Sequence, residues 1–335
     1  MKNRQGRPGN QMLSIVIPVH NESDVIPTLL SRLDRVTRQL DVPVELLFVD
    51  DGSHDNSVAL LLRARQRQPD IRVVQLSRNF GKEAAVTAGL EHARGDALIL
   101  MDADLQDPPE LIPRMVAEWR RGADVVLMKR RSRAGESWLK RITASLFYRV
   151  INRISDASIP VDTGDFRLMS RRTVDALNRL PERNRYLKGM FAWVGMPTVT
   201  LEFDRDPRAA GKTKWNYLKL MHLAMEGITS FSTRPLRLAL LLGLLAAGAG
   251  GLFGTWEVLR ALIFGISTPG YASMIAIVTF LSGVQLLCVG LLGEYVGRIY
   301  METKQRPVFI VAEDSEDEAQ PILTHLRVAG NDQTH

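Results

Sequence analysis

The sequence predicts an α/β domain with a mostly parallel sheet, followed by two helices that span a membrane. Residues 12 to about 130 alternate between short β-rich runs and segments with helical spacing, which is the pattern of βαβ units. Farther along, the 19 residues between Arg237 and Glu257 and the 33 residues between Arg260 and Glu294 carry no charge. A bilayer core takes roughly 20 apolar residues of helix, so each of these runs is about long enough to cross it.

The β-rich runs come in chain order with helical segments between them. The first helical segment carries an apolar stripe of Leu29, Leu33, Val36 and Leu40. In parallel sheets, ligands bind in the loops that follow the carboxyl ends of the strands, and polar clusters follow the first, second and fourth runs here. The five predicted strands are Leu13–Ile17, Val44–Val49, Arg72–Leu76, Ala97–Met101 and Asp124–Leu127.

Composition excludes several protein classes. The chain has 335 residues, of which 45% are hydrophobic and 25 are glycine, so it is neither collagen-like nor disordered throughout. Its one cysteine, Cys288, allows neither a disulfide framework nor a cysteine-zinc site. The polar start MKNRQGRPGNQ lacks an apolar signal-peptide region, so we expect the N-terminal part to stay in the cytoplasm.

A basic segment from Lys129 to Arg149 has seven Lys/Arg residues and one acid, Glu136, interleaved with aromatic and aliphatic side chains. Such a cluster is either a solvated helix face or a segment lying on a lipid surface, and the apolar partners favour the lipid surface. The other anionic partner would be nucleic acid, but no helix-turn-helix, zinc finger or stacking platform is visible. We therefore expect membrane lipid and no nucleic acid as partners.

The two apolar runs predict spans at Leu236–Leu259 and Tyr271–Leu292. Lys and Arg flank their outer ends, whereas the connecting loop has only Arg260. The positive-inside rule then places both termini and the N-terminal domain in the cytoplasm, in a multi-pass protein of the inner (plasma) membrane. Five acids in the six residues Glu313–Glu318 predict a solvated, disordered tail.

Asp102 and Asp104 directly follow the apolar strand Ala97–Met101. Carboxylates two residues apart at a strand end can turn toward one cation, and oxygen ligands suit Mg²⁺ or Mn²⁺. Such an ion takes much of its shell from a substrate diphosphate and neutralises the leaving phosphate. The alternative is a pair of turn or capping aspartates, but the Pro-Pro start of the next helix at 108–109 favours the metal site.

Asp50-Asp51-Gly52-Ser53 follows the second strand, and Pro18–Glu22 follows the first. These are turn sequences, yet a carboxylate at a strand end can also hold the NH groups of a base or a ribose hydroxyl. The sequence has no GxGxxG after either strand and no GxxxxGK[ST] motif, which disfavours a dinucleotide dehydrogenase and a P-loop NTPase. A nucleotide site made of carboxylates and backbone, with metal on the diphosphate, remains.

Together these motifs resemble glycosyltransferase family 2. Within it, the chain is similar to the polyprenyl-phosphate glycosyltransferases, the relatives of dolichyl-phosphate mannose synthase and bacterial GtrB-type enzymes, from about residue 12 to 306. The resemblance implies a GT-A (Rossmann-like) domain that binds a nucleotide sugar, followed by two C-terminal transmembrane helices. The motifs that carry it are ProValHisAsnGlu at 18–22, ValAspAspGlySer at 49–53, AsnPheGlyLys at 79–82, MetAspAlaAspLeuGlnAspProProGlu at 101–110 and ArgAlaAlaGlyLysThrLysTrp at 208–215.

The resemblance also implies a division of the chain into five parts. These are a polar N-terminal tail at 1–11, a GT-A catalytic domain at 12–205, a donor-closing loop with amphipathic interfacial helices at 206–235, two transmembrane helices at 236–305, and a cytoplasmic tail, disordered at its end, at 306–335.

Site residues follow from the matched motifs. Histidine at position 20 replaces the commoner tyrosine, and Thr213 replaces the usual serine. The positions matching the family's base and ribose contacts are Pro18, His20, Glu22, Val49 and Asp51; those at the nucleotide-sugar diphosphate and metal are Asp102, Ala103 and Asp104, with Gln106 as a further metal contact. The phosphate-binding matches are Arg130 and, more loosely, Arg141 or Lys140, and the donor-closing loop contributes Arg208 and Lys214.

The implied reaction moves a sugar from a UDP- or GDP-sugar to a polyprenyl (undecaprenyl or dolichyl) phosphate. Such a phosphate is largely dianionic at pH 7, so it needs positioning more than a strong base, and direct attack inverts the anomeric carbon. The expected cofactor is Mg²⁺ or Mn²⁺, and related bacterial enzymes suggest a homo-oligomer, a tetramer. Asp102, Asp104, Asp165 and Arg130 are the predicted catalytic residues, with Asp165 orienting sugar or acceptor.

Two other functions stay open. A processive polysaccharide synthase of the same superfamily would carry a QxxRW motif and more spans, and the sequence shows neither. A catalytically inactive membrane scaffold would not need Asp102, Asp104 and Arg208, which are all present. The identity of the sugar is left open by the motifs.

Overall fold

The structure is a computed structural model that describes residues 11–130, 163–183, 185–203, 234–264 and 270–316. The strands are β1 (Leu13–Val19), β2 (Val44–Asp50), β3 (Ile71–Leu76), β4 (Ala97–Leu100), β5 (Val125–Arg130), β6 (Thr163–Ser170), β7 (Thr198–Phe203) and β8 (Val311–Asp314). The helices are α1 (Ile26–Thr37), α2 (Ser57–Arg65), α3 (Lys82–His92), a 3₁₀ turn (Pro109–Leu111) leading into α4 (Ile112–Arg120), α5 (Arg171–Asn178), α6 (Leu187–Val194), α7 (Arg234–Phe264) and α8 (Tyr271–Thr303).

The strands form one eight-stranded sheet in the order β7-β5-β6-β4-β1-β2-β3-β8. Pairings β1–β2, β1–β4, β2–β3 and β5–β7 are parallel. Pairings β3–β8, β4–β6 and β5–β6 are antiparallel. The predicted α/β class is confirmed, and the sheet is mostly parallel as predicted, with β6 and β8 as the two antiparallel strands.

Strand β1 lies at the centre because nearly all of its side chains are apolar and both faces of the sheet are covered. Ile15 and Ile17 belong to the core that includes α1 and α4. Val16 faces the other way and belongs to the core built with α3, α5 and α6. The two hydrophobic layers therefore hold the strand from both sides and fix where its carboxyl end lies.

Two helices show how closely the layers pack. In α1 the buried residues are Ile26, Leu29, Leu33 and Val36, which confirms the predicted stripe except for Leu40, located after the helix ends. In α3, a Cβ added at Gly89 would lie 2.2 Å from Val16 Cγ1. A larger residue at this glycine would push α3 away from β1 and shift the loops around the site.

The two apolar runs form the long helices α7 and α8, which extend beyond the predicted spans at one or both ends. Their most apolar stretches, Ala239–Trp256 and Phe280–Thr303, are long and apolar enough to cross a membrane, and none of their residues is buried in the protein. Since a soluble core helix would be largely buried, these exposed apolar surfaces point to association with a membrane.

After α8 the chain returns to the eight-stranded sheet, which the sequence did not predict. Strand β8 pairs with β3, Ser315 N donates to Val73 O at 2.9 Å, and Val73 N donates to Ser315 Oγ at 2.9 Å. The Arg72 guanidinium donates to Asp314 at 2.5 Å. The prediction of a solvated tail is therefore wrong for residues 313–316, while 317–335 lie outside the described residues.

The end of α8 also contacts the sheet domain. The Arg183 backbone NH donates to Glu302 Oε1 at 2.9 Å, and the Arg183 guanidinium donates to the Arg306 carbonyl at 2.6 Å. Phe309 packs edge-on against His92 on α3, with ring centroids 6.1 Å apart. The C-terminal end of α8 is thus joined to the sheet domain through side chains as well as through β8.

Candidate functional site

The predicted site residues that the structure describes lie at one edge of the sheet. Parallel pairing brings Val19 of β1 beside Asp50 of β2, and β4 also runs parallel to β1. Strand β6 runs antiparallel to both β4 and β5, so β5 points the same way as β4. The loops after β1, β2, β3 and β4, the end of β5 and the beginning of β6 therefore share this edge, as the position of ligand sites in such sheets predicts.

The loops after β1 and β2 are joined by hydrogen bonds. Asn21, in the left-handed region with φ 56°, donates its NH to Ser53 Oγ at 2.9 Å and accepts from His54 N at 2.8 Å. At Gly52, φ is 67°, and a Cβ there would lie 2.6 Å from backbone atoms of Arg78 and Asn79. Glycine is required at this position because the loop after β3 passes so close to it.

His20 is held by three neighbours. Its Nδ1 lies 3.0 Å from the Asp51 carbonyl, and its Nε2 lies 3.1 Å from the side-chain amide nitrogens of both Asn21 and Asn79. A carbonyl can only accept and an amide NH₂ can only donate, so these contacts fit the tautomer with its proton on Nδ1. The exposed ring is therefore fixed at the mouth of the loops where the sequence predicts the base.

Asp51 is buried, and both of its carboxylate oxygens accept backbone hydrogen bonds. Phe80 N donates to Oδ1 at 2.7 Å and Gly81 N donates to Oδ2 at 2.9 Å, directly before the first turn of α3. Burial raises the pKa of Asp51 above its usual value, although the two NH groups act in the opposite direction. Asp51 thus anchors the start of α3, and its contact with a nucleotide stays a prediction.

The segment after β4 alternates between buried and partly exposed residues. Ala103 and Leu105 are buried, whereas Asp102, Asp104 and Gln106 are partly exposed. Leu105 has φ 59°, and Gln106 N donates to Asp104 Oδ1 at 3.1 Å, which closes a tight turn. Asp102, Asp104 and Gln106 therefore share the partly exposed positions of this turn, and their binding of a metal stays a prediction.

These residues fit a divalent cation. Gln106 Oε1 is buried and, within the described part of the chain, accepts no hydrogen bond, so it is an oxygen available to a ligand. No group of three or more His, Cys, Asp or Glu side chains suited to a metal occurs among the described residues. An ion at Asp102 and Asp104 would take its remaining ligands from substrate phosphates and water.

A lysine that the sequence analysis did not assign connects two predicted catalytic residues. Lys82 Nζ lies 2.6 Å from Asp102 Oδ1 and 2.6 Å from Asp165 Oδ2. Both contacts are ion pairs, and the ammonium also donates a hydrogen bond to Asp165 Oδ2. The one sequence signal for Lys82 was its place in the AsnPheGlyLys motif, since charge pairing across three separate elements leaves no local pattern.

The ion pair between Lys82 and Asp165 shifts the pKa values of both groups. Burial alone would raise the pKa of Asp165, but Lys82, Lys188 and Arg167 lower it to about 2. Burial would likewise lower the pKa of Lys82, but Asp102 and Asp165 raise it above its usual value. Asp165 and Lys82 are therefore both charged at neutral pH.

Arg167 supports this end of β6 from beneath. Its guanidinium is buried, donates to the Gly164 carbonyl at 2.9 Å and lies 3.9 Å from the centre of the Phe191 ring on α6. Burial lowers the pKa of Arg167 to about 10, against the opposing effect of Asp165. This arginine holds the start of β6, where Asp165 lies.

The remaining predicted site residues are only partly placed. Pro18 and Val49 lie in β1 and β2, paired as neighbours, and Glu22 N donates to Ser57 Oγ at 2.9 Å. Arg130 ends β5 beside Phe203 of β7, at the site edge, and only its backbone is described. Lys140, Arg141, Arg208, Thr213 and Lys214 lie outside the described residues, so their roles stay predictions.

Two protein families match the chain. Residues 14–177 match glycosyl transferase family 2, which covers the strands and loops of the site. Residues 234–299 match the GtrB C-terminal hairpin, which covers α7 and most of α8. Between the two matches lie residues 178–233, which include α6 and β7.

Relatives extend the similarity over most of the chain. An uncharacterized glycosyltransferase of Synechocystis sp. is 48% identical, covering 90% of this chain and 95% of its own. The bactoprenol glucosyl transferase of Shigella phage SfX is 45% identical, with 89% and 98% covered. A prophage bactoprenol glucosyl transferase homolog of Escherichia coli is 44% identical, with 89% and 98% covered.

These matches include both the sheet with its site edge and the helical hairpin, so they apply to the whole architecture. The mixed sheet is accordingly a GT-A fold. The chain belongs to glycosyltransferase family 2, in the branch with the GtrB C-terminal hairpin, and it is a glycosyltransferase.

Proposed function

We propose that the protein transfers a sugar from a nucleotide sugar to a polyprenyl phosphate at the cytoplasmic face of a membrane, with inversion and with Mg²⁺ or Mn²⁺. The observation that carries the proposal is the group of oxygen-bearing side chains after β4, next to Asp165 at the edge where the site loops meet. The acceptor is supported by relatives named bactoprenol glucosyl transferase and by two exposed apolar helices.

The donor is proposed to bind across the loops after β1, β2 and β4. His20 is fixed at the mouth of these loops by contacts with Asp51 and Asn79, where a base would stack. Asp102, Asp104 and Gln106 would hold the metal, which when bound neutralises charge on the departing diphosphate. The chain's own contribution is to keep these oxygens on one side of a turn, already oriented before the donor arrives.

The nucleophile is proposed to be the phosphate of the lipid itself. A phosphate monoester is largely dianionic at pH 7 and needs no strong general base. Asp165 is suited to a reaction without a general base, because a carboxyl with a pKa of about 2 is a weak base at neutral pH. We therefore assign Asp165 to orienting sugar or acceptor, not to removing a proton.

The acceptor phosphate is proposed to approach from the end of β5. Arg130 ends this strand at the site edge, and the basic segment that follows it, with Arg141, suits both the lipid phosphate and a membrane surface. An arginine at this place offsets the repulsion between an anionic acceptor and the donor diphosphate. Arg208 and Lys214 are proposed to close over the donor.

The test is incubation of membranes containing the full chain with undecaprenyl phosphate and a panel of UDP- and GDP-sugars, followed by lipid extraction. The names of the relatives make glucosyl donors the first choice. We expect one donor to give a sugar-modified lipid and a free nucleoside diphosphate only when Mg²⁺ or Mn²⁺ is present. Transfer to water alone, or growth of a long polysaccharide, would contradict the proposed acceptor.

A further inference from the structure

One ammonium group sits between two carboxylates that the proposed reaction uses separately. Lys82 comes from the start of α3, Asp102 follows β4, and Asp165 lies near the start of β6. The lysine nitrogen is 2.6 Å from an oxygen of each carboxylate, and side-chain exposures are 45% for Lys82, 25% for Asp102 and 23% for Asp165. The group is accessible from the site and carries a net charge of about −1 at neutral pH.

The position of Lys82 is unfavourable for a cation on local grounds. It is the first residue of an 11-residue helix, where the helix dipole places partial positive charge and favours acidic side chains. The backbone NH groups just before it already point at Asp51. The ammonium is therefore held by Asp102 and Asp165, and not by the helix that carries it.

An ammonium and a divalent ion at the same oxygen of Asp102 would repel each other. A divalent ion binds carboxylate oxygen at about 2.0–2.2 Å and excludes other cations from that position. With the lysine nitrogen 2.6 Å from this oxygen, the two cations would lie within about 5 Å of each other, where they repel strongly. Binding of the ion through Asp102 Oδ1 thus favours displacement of the ammonium.

We propose that Lys82 is an exchangeable cation of the donor site. Before the donor binds, its ammonium occupies the cation position and holds Asp102 and Asp165 together in spite of their like charges. When the metal and the donor diphosphate bind, the ammonium leaves Asp102 and keeps Asp165 oriented. This inference rests on the metal-dependent transfer proposed above and makes Lys82 a positioning residue for that reaction.

The proposal predicts an effect on metal binding that a purely structural lysine would not have. In Lys82→Met, the competitor for Asp102 is gone and two like charges are left without a cation, so Mn²⁺ should bind more tightly in the absence of nucleotide, by about 10-fold or more. Turnover should fall by about 10-fold, because Asp165 loses the cation that orients it. Lys82→Arg keeps the charge and should not bind Mn²⁺ more tightly than the wild type.

The experiment measures free Mn²⁺ by electron paramagnetic resonance during titration of the purified full chain, alongside lipid transfer. Lys304→Met is the matched control, since it removes the same charge at the end of α8, where the ammonium lies over the Tyr300 ring. Thermal unfolding checks each variant, and Lys82→Gln replaces Lys82→Met if the latter does not fold. Tighter Mn²⁺ binding in the uncharged Lys82 variant alone supports the exchange.

Two outcomes would overturn the inference, and they have different meanings. If the wild type makes the sugar-modified lipid but the uncharged Lys82 variant binds Mn²⁺ as weakly as the wild type or more weakly, Lys82 does not compete with the metal. The proposed transfer then stands and the exchange is wrong. If neither protein binds Mn²⁺ and the wild type transfers sugar without metal, both the metal dependence and the exchange are wrong.

Discussion

Asp51 and Asp165 lie at the same edge of the sheet, yet their carboxylates are held in opposite ways. Asp51 accepts hydrogen bonds from two backbone NH groups, and burial raises its pKa. Asp165 pairs with the ammonium of Lys82, which helps to lower its pKa to about 2. A backbone donor cannot leave without unfolding a loop, whereas a lysine side chain can, so the first contact suits support and the second suits exchange during a reaction.

The largest effect that tests the reactive side of this comparison is expected at Asp104. Asp104→Asn removes a proposed ligand charge, so transfer at saturating Mn²⁺ or Mg²⁺ should fall by more than about 10-fold, because a metal's electrostatic contribution is usually several kcal/mol. Lipid transfer kinetics measure it, and Asp70→Asn, at an exposed position, is the control. A variant that keeps more than about a tenth of the turnover would show that Asp104 does not hold the metal.

Arg130 should affect the acceptor without affecting the nucleotide. A charge-assisted phosphate contact contributes roughly 1.5–3 kcal/mol, so Arg130→Ala should lower kcat/KM for the lipid by about 10- to 150-fold. Calorimetry should find nucleoside diphosphate binding nearly unchanged. Arg121→Ala removes an exposed arginine paired with Glu118 and serves as the control. Equal losses of nucleotide affinity and turnover would instead assign Arg130 to the donor site.

Asp51 should affect stability and nucleotide binding together. Asp51→Ala leaves the NH groups of Phe80 and Gly81 without their acceptors, which should lower the free energy of unfolding by about 2 kcal/mol. Thermal unfolding of the full chain measures this, and nucleotide affinity should fall as the start of α3 loosens. Asp51→Asn keeps one acceptor oxygen and should lose less. If Asp51→Ala has the same thermal midpoint as the wild type, the contacts of Asp51 with the NH groups of Phe80 and Gly81 do not stabilise the fold.

The smallest expected effect is the pH dependence of Asp165. Its folded pKa is about 2 and its ordinary value is 3.8, so the ionised form favours the folded state above pH 4. This contribution is lost as pH falls from about 4 to about 2. The drop in thermal midpoint over this window should therefore be smaller in Asp165→Asn than in the wild type. For Asp51, whose pKa is raised, protonation favours the folded state. The fall in thermal midpoint over this window should therefore not become smaller in Asp51→Asn.

Much of the catalytic half could be predicted because its signals are local. Apolar runs bounded by turn residues predict β1 to β5, and parallel strands bring the loops after them to one edge. The carboxylates after β4 could be located for the same reason. Strand β6 was missed because ThrGlyAspPheArgLeuMetSer mixes charge with apolar residues, and its partners β4 and β5 are distant in the chain.

The parts that could not be predicted depend on partners far away in the sequence. The acidic segment Glu313–Glu318 has the composition of a solvated tail, yet Asp314 is buried against Arg72, and no local pattern shows that pairing. The role of Lys82 depends on two carboxylates that are 20 and 83 residues further along the chain. Membrane orientation and the tetramer stay predictions for the same reason, since neither follows from contacts within this chain.

Strand β8 makes the catalytic domain discontinuous in sequence. A fragment that ends before residue 234 would lack β8, so β3 would become an unpaired edge and the Asp314 partner of Arg72 would be missing. Bare edges of this kind recruit other strands and promote aggregation. A soluble form of the catalytic domain therefore needs two segments of the chain joined by a flexible linker. The first ends after β7, and the second contains residues 307–316.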